Sequence, residues 1–131
     1  MPSPVTENPC ADSASAARHF AALFPFETDC WDVHAALAAG ADFVLLDVRS
    51  AECYARAHVP GAVHLPHRKI IESRLAAWPA GTVFVVYCSG PHCNGAQRGA
   101  LRLAQLQRPV KVMVGGMSGW REEGFEVAVA S

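Results

Sequence analysis

Three nearly continuous apolar runs most constrain the fold that this chain can adopt. They cover residues 43–48, 82–87 and 110–114, and each holds several valine, leucine, methionine or phenylalanine side chains. Apolar runs that lack regular alternation with polar residues are typical of strands buried on both faces of a sheet. Segments of helical composition separate the runs, so the sequence predicts an α/β fold with parallel strands and helices on both faces.

The remaining segments complete this pattern with helices and one further strand. Residues 62–65 are the further strand, and residues 13–24 form an alanine-rich helix that Asp12 or Ser13 can cap. The other expected helices cover residues 29–40, 68–77 and 94–107, with short ones after Ser50 and at residues 118–123. In the helix that ends at Gly40, we expect Trp31, Val33 and Leu37 to face inward.

The chain is expected to form one domain behind a short tail. Residues 1–11 are polar and rich in proline, which predicts a disordered segment. Residues 12–131 are then a single domain with an N-terminal helical extension, in keeping with the length of 131 residues.

Composition and charge argue against several classes of partner. Eleven Lys and Arg residues stand against twelve Asp and Glu, a formal net charge of −1, so neither a nucleic acid nor a membrane is an expected partner. No apolar stretch has the length of a bilayer span or the form of a secretory signal, which predicts a cytoplasmic location. Five cysteines, an odd number, favour reduced thiols over a disulfide framework.

The loop after the strand at 82–87 carries the candidate chemistry. Cys88 ends the strand, and the loop that follows contains two glycines and no bulky aliphatic side chain. Such a loop can turn its backbone N–H groups inward, beside the positive end of the next helix, and bind an anion. A thiol in that position is shifted toward thiolate, the nucleophilic form, so Cys88 is the candidate nucleophile. The predicted substrate-binding residues follow Cys88 in the chain: Ser89, Gly90, Pro91, His92, Cys93, Asn94, Gly95 and Ala96.

Motifs on both sides of this loop resemble the signature of the rhodanese (sulfurtransferase) family. Residues 45–54 contain Asp-Val-Arg with a glutamate three positions after the arginine, and residues 58–66 begin His-Val-Pro-Gly-Ala. A strand ending in Tyr-Cys follows at the expected place, and Gly-Gly at 115–116 with Trp120 resembles the closing motif of the family. The resemblance spans residues 28–127.

This resemblance implies a three-layer fold with a five-stranded, mainly parallel sheet flanked by helices. It implies that Cys88 takes sulfane sulfur from a donor such as thiosulfate or a persulfide and passes it, as a Cys88 persulfide, to a thiophilic acceptor. A sulfur-carrier protein is a further candidate partner, and no metal or organic cofactor is implied. Structural support of the site is expected from four residues: Asp47, Arg49, Glu52 and His58. Among these, we expect Asp47 to order loop amides and Arg49 to pair with Glu52.

The loop departs from the family pattern at its basic position. The usual order is Cys-x-x-Gly-x-Arg-Ser, whereas this chain reads Cys-x-Gly-Pro-x-Cys-Asn-Gly, with Cys93 and Asn94 in the Arg and Ser positions. Residues 89–95 contain no Lys or Arg that could hold a dianion, which argues against thiosulfate more than against sulfur transfer. Arg98 carries the nearest guanidinium in the sequence, and the sequence does not fix whether its side chain points toward the loop.

Two roles for Cys93 remain open at this stage. As a resolving thiol it would attack the Cys88 persulfide, release sulfide and leave a Cys88–Cys93 disulfide. As a structural residue it would be a small buried side chain at the start of a helix. The first role leads to the alternative function of a thiol redox or persulfide-sensing module that cycles this disulfide.

Two other classes fit the residues less well. Zinc binding by Cys88, His92 and Cys93 lacks a clear fourth ligand. A tyrosine-phosphatase-like activity needs an arginine six positions after the nucleophile, and Asn94 stands there. A small basic group at Arg68, Lys69 and Arg74 is read either as a solvated helix face or as a docking site for an acidic sulfur carrier.

Overall fold

A five-stranded parallel sheet organises the computed structural model, which describes residues 1–130. The strands are β1 (Glu27–Asp29), β2 (Val44–Asp47), β3 (Val63–His64), β4 (Phe84–Tyr87) and β5 (Val110–Val114). They lie in the order β1-β5-β4-β2-β3, and each neighbouring pair is parallel. The five-stranded α/β fold expected from the sequence is confirmed.

Helices cover both faces of the sheet. In chain order they are α1 (Ser13–Ala21), α2 (Cys30–Ala39), α3 (Ala51–Arg56), a 3-10 helix (His67–Lys69), α4 (Glu72–Leu75), α5 (Gly95–Gln105) and α6 (Gly116–Glu122). The central strand β4 divides the core, because successive side chains point to opposite faces. Val85 and Tyr87 pack with buried residues of α2 and α6, whereas Phe84 and Val86 pack with those of α4 and α5. The fold therefore has three layers, with the sheet in the middle.

The edge strand β1 is not among the four strands that the sequence pattern predicts. It pairs with β5, so that Glu27 lies opposite Val112. The segment is three residues long, only partly buried and without an apolar run, so it gives no sequence signal for a strand. Its last residue, Asp29, caps α2 by accepting a 2.8 Å hydrogen bond from the amide of Asp32.

Several helix boundaries differ from those expected. The first helix ends at Ala21 instead of residue 24, although Asp12 caps it as predicted. The helix expected at 68–77 is interrupted by Ile70, which is buried and adopts an extended conformation between the 3-10 helix and α4. Trp31 was expected to face inward but is 61% exposed. Its neighbours Cys30 and Val33 occupy the inward positions of α2, and one residue along a helix turns the side chain by roughly 100°.

Residues 1–11 contain no helix or strand and are exposed throughout. The disorder of this tail stays a prediction. Ser131, the last residue of the expected domain, lies outside the described residues. Within residues 1–130, no helix combines the length and apolarity that a bilayer crossing requires.

One buried carboxylate joins the ends of the two inner strands. Asp47 of β2 is fully buried and accepts hydrogen bonds from Arg49 Nη2 at 2.7 Å and from the Tyr87 hydroxyl at 2.8 Å. The Tyr87 oxygen in turn accepts a 3.1 Å bond from the amide of Val59, and Arg49 Nη2 also donates to the carbonyl of Ala57. Burial, and then the neighbouring carboxylate, raise the pKa of Tyr87, so this hydroxyl stays protonated.

We expect Tyr87→Phe to lower the free energy of unfolding by about 1–3 kcal/mol, because it removes one donor to a buried carboxylate and leaves the Val59 amide without its acceptor. Tyr54→Phe is the matched control. Its half-buried hydroxyl makes a single 3.0 Å bond to the carbonyl of Ala62, so it should cost less. Urea unfolding of both variants measures the difference, and equal losses would contradict the account of this network.

Candidate active site

Cys88 lies directly beyond the carboxyl end of the central strand. It is 5% exposed, and its sulfur sits against the first residue of α5. A Cβ atom placed on Gly95 would be 2.7 Å from Cys88 Sγ, so this position has no room for a side chain unless the sulfur moves. Residues 89–94 form the loop between β4 and α5, as the sequence predicts.

The start of α6 holds this loop in place. Its amides at Met117 and Ser118 donate to the carbonyls of Cys88 and Ser89 at 2.9 and 2.8 Å. The Ser118 hydroxyl adds a second 2.8 Å bond to the carbonyl of Ser89. Gly116 makes this approach possible, since it has φ +58° and a Cβ there would lie 2.5 Å from the Cys88 carbonyl oxygen. The Gly-Gly motif of the sequence is thus a backbone contact with the candidate loop.

The two loop thiols form a pair. Cys88 and Cys93 are both free thiols, and both sulfurs lie beside Gly95, at 2.7 and 3.5 Å from where a Cβ of that residue would stand. The amide of Gly95 lies 3.5 Å from Cys93 Sγ, and the backbone amides of Ser89 and Gly95 lower the pKa of both thiols. These amides stabilise negative charge on either sulfur, as expected for a loop that ends at a helix N-terminus.

The two thiols have different surroundings. Burial, and then the neighbouring Cys93, raise the pKa of Cys88 above its ordinary value. The neighbouring Cys88 lowers the pKa of Cys93, which is only partly buried. The sequence predicts Cys88 as the thiolate and does not predict the burial that opposes its ionisation.

A cavity of about 430 Å³ opens beside Cys88. Arg49, Arg68 and Arg98 line it, together with His67, and no acidic side chain does. Arg98 points to the site: its Nε donates a 3.2 Å bond to Asn94 Oδ1. The guanidiniums that the loop lacks in sequence are thus supplied by neighbouring elements, and the cavity suits an anion.

The predicted substrate-binding residues divide between two sides of the loop. Ser89, Cys93, Asn94 and Gly95 line the basic cavity, whereas Gly90, Pro91 and Ala96 line a smaller cavity of about 260 Å³ on the other side. Both cavities reach Cys88 and Cys93. His92 is exposed and lines neither of these two cavities.

The sequence did not place five lining residues of the basic cavity in the site: Val48, Ser50, Cys53, His67 and Arg68. The sequence predicts the basic run near residue 68 as a solvated helix face or a docking surface. Nothing in the spacing along the chain brings that run to the end of β4. The pairing of β3 with β2 in the folded sheet places the segment after β3 beside the strand ends.

The expected supporting residues have structural contacts, with one correction. Arg49 does not pair with Glu52; within residues 1–130 its carboxylate partner is Asp47, at 2.7 Å, and Glu52 is exposed in the first turn of α3. Asp47 binds the amide of Arg49 at 3.0 Å, in line with its expected role in ordering backbone amides. His58 is buried, with Nδ1 2.7 Å from the carbonyl of Tyr54 and its ring stacked on that tyrosine.

The described residues contain no group of three or more His, Cys, Asp or Glu side chains placed to hold a metal ion. The remaining thiols differ in setting: Cys10 is exposed, and burial raises the pKa of Cys30 to about 11.

The parallel sheet, the thiol at the end of its central strand and the amide-lined loop define a rhodanese-type α/β domain. The family profile described as Rhodanese-like domain matches residues 31–123, so the chain belongs to the rhodanese-like domain family. The crystal structure of the BH2092 protein from Bacillus halodurans is 37% identical, with a TM-score of 0.85 over 88% of this chain and 85% of that one.

Two further similarities are more limited. A segment is 37% identical over 87 residues to the HTH-type transcriptional regulator Rv0324 of Mycobacterium tuberculosis, and covers 66% of this chain but only 38% of the regulator. Thiosulfate sulfurtransferase from Pseudomonas aeruginosa is 22% identical, with a TM-score of 0.67 over 89% of this chain and 22% of that protein. At that identity the likeness establishes the fold alone.

We expect Gly116→Ala to destabilise the protein by about 1–3 kcal/mol more than Gly124→Ala, because only the first adds a methyl group against the active loop. Gly124 has a similar left-handed backbone, φ +77°, but nothing within 4 Å of an added Cβ, so it isolates the strain of the backbone itself. Thermal or urea unfolding measures both. Equal losses would mean that the contact with the Cys88 carbonyl does not restrict position 116.

We expect Cys93→Ala to lower the pKa of Cys88, because the variant removes the neighbouring thiol that raises it. Burial should still hold the value above that of an exposed cysteine. Alkylation of Cys88 across a pH series, mapped by peptide mass, measures the change. Cys53→Ala is the control, since this thiol lines the same cavity but does not contribute to the shift. An unchanged profile in Cys93→Ala would refute the thiol pair.

Proposed function

We propose that this protein is a sulfurtransferase that carries sulfane sulfur on Cys88 as a persulfide. The main observation in support of this proposal is the position of the Cys88 thiol. It lies at the end of the central strand, between two backbone amides and a cavity lined by arginines. Amides at this position can stabilise the outer sulfur of a persulfide as well as a thiolate, because both carry negative charge.

Loading and unloading are both exchanges at a sulfur atom. Cys88 attacks the terminal sulfur of the donor, a new S–S bond forms and the S–S bond of the donor breaks. The donor leaves as sulfite if it is thiosulfate, or as a thiolate if it is a persulfide. Cys88 releases its proton to solvent, because the thiolate is the form that attacks. A thiophilic acceptor then attacks the outer sulfur, and Cys88 is released as a thiolate.

The position of both thiols beside Gly95 supports a second function that can be tested. Cys93 can attack the inner sulfur of the Cys88 persulfide, which forms a Cys88–Cys93 disulfide and expels hydrosulfide. A cellular dithiol reductant would restore the pair. The chain would then be a thiol redox or persulfide-sensing module, and its similarity to part of a protein named as a transcriptional regulator supports this alternative.

Intact mass after treatment with thiosulfate separates the two functions. For a sulfurtransferase we expect wild type and Cys93→Ser to gain one sulfur atom that a reductant removes, and Cys88→Ser to gain none. For a redox module we expect wild type to lose two hydrogens and retain no sulfur, while Cys93→Ser traps the adduct. Sulfur retained on Cys88→Ser would refute Cys88 as the carrier.

Cys53→Ser is the matched control for this experiment. Cys53 lines the same cavity, so its loss tests whether any thiol near the donor would carry sulfur. We expect this variant to load as wild type does.

A further inference from the structure

The basic cavity beside Cys88 adjoins a second cavity. The second has a volume of about 360 Å³ and shares His67, Arg68 and Arg98 with the first. Its other lining residues lie along α5 and include Leu101 and Arg102. We call the surface of these two adjoining cavities, from Cys88 along Arg68, Arg98 and Arg102, the basic groove.

The charges of the basic groove are not neutralised within the described chain. The ion pair between Arg49 and Asp47 is the only one formed among residues 1–130, so the three arginines of the groove have no carboxylate partner there. No acidic side chain lines either cavity. Arg98 and Arg102 lie one helical turn apart, about 6 Å along the axis, where like charges repel. Such a cluster, in a chain of net charge −1, suits a ligand that brings negative charge.

The electrostatic effect of these arginines reaches a neighbouring side chain. Partial burial, followed by Arg68, Arg98 and Arg102, lowers the pKa of His67. His67 therefore stays neutral at physiological pH, and the positive charge of the groove comes from the guanidiniums.

The size of the groove exceeds what a small inorganic donor needs. Each of its two cavities lies in the range of roughly 300–1,000 Å³ that is typical of sites for organic ligands. Thiosulfate would be held by the loop amides and Arg98, and the groove would continue for another helical turn. Leu101, 59% exposed, adds an apolar surface between the charges. The surface is thus suited to a ligand with methylene groups and more than one carboxylate.

We propose that the sulfur donor is a low-molecular-weight organic persulfide with several carboxylates, which lie along the basic groove while its terminal sulfur meets Cys88. This inference rests on the sulfurtransferase function proposed above. Cys88 attacks the terminal sulfur, the S–S bond of the donor breaks, and the donor departs as a thiolate that takes up a proton from solvent. The sulfur moves to Cys88 with no net oxidation or reduction.

The test compares two donors on wild type and on two double variants. Arg68→Gln/Arg102→Gln removes two charges from the groove, and Arg74→Gln/Arg121→Gln removes two from exposed positions that line neither cavity. The donors are glutathione persulfide, a tripeptide with two carboxylates, and thiosulfate. The rate of Cys88 loading is followed by intact mass over a series of donor concentrations.

We define the donor preference as the loading efficiency with glutathione persulfide divided by that with thiosulfate. For the groove variant we expect this ratio to fall about tenfold. The fall should come from a higher half-saturating concentration of glutathione persulfide, with the maximal rate unchanged. The control variant should keep the wild-type ratio. An equal ratio in both variants, or a wild type that loads only from thiosulfate, would overturn the inference and leave the sulfurtransferase function standing.

A binding measurement separates failure of the inference from failure of the chemistry. S-methylglutathione carries the same carboxylates but no transferable sulfur, and calorimetry on Cys88→Ser reports its binding without reaction. We expect binding that weakens about tenfold when Arg68→Gln/Arg102→Gln is added. If no donor loads Cys88, the proposed sulfurtransferase function is wrong, and this binding measurement alone decides the ligand class. Binding of S-methylglutathione that depends on the groove arginines supports a ligand with several carboxylates. Absence of such binding refutes that ligand class.

Discussion

The buried carboxylate of Asp47 is the interaction on which the geometry of the site depends. It lies at the end of β2 and binds Arg49, just beyond that strand, and Tyr87, the last residue of β4. Because Tyr87 precedes Cys88, the hydrogen bond that fixes its hydroxyl also fixes where the central strand ends. A charged group in the core is stabilising only when its hydrogen bonds are satisfied, and here both carboxylate oxygens have donors. The network thus helps to set the position of the Cys88 thiol from the inside of the fold.

Opposing effects tune that thiol. Burial and the neighbouring sulfur favour the protonated form of Cys88, while two backbone amides favour the anion. The net effect is a raised pKa, so the amides offset only part of the effect of burial. The arginines stand around the cavity and not within the loop. In the proposed function, the nucleophile and the anion-binding arginines therefore come from separate elements, which differs from a loop that carries its own arginine.

The local sequence pattern was enough to predict some elements of the fold and the site, but not others. The apolar runs predicted the buried strands, and the strand–loop–helix pattern predicted where Cys88 and its amides lie. The edge strand Glu27–Asp29 gave no signal, because it gains its pairing from β5 and buries little. The partner of Arg49 was misassigned because helical spacing favoured Glu52, whereas the fold offered a buried carboxylate two residues away. The approach of Arg68 to the loop depends on tertiary structure, which the spacing of residues cannot convey.

The anchoring of the loop by α6 has a consequence for how such domains diversify. The bonds from Met117 and Ser118 reach the carbonyls of Cys88 and Ser89, and the turn inside the loop is closed by a 3.0 Å bond from the amide of Cys93 to the carbonyl of Gly90. All of these acceptors are main-chain atoms, so the support does not depend on which side chains occupy residues 91–94. Substitutions at those positions can therefore change the chemistry offered to a substrate without removing the main-chain hydrogen bonds that hold the loop in place.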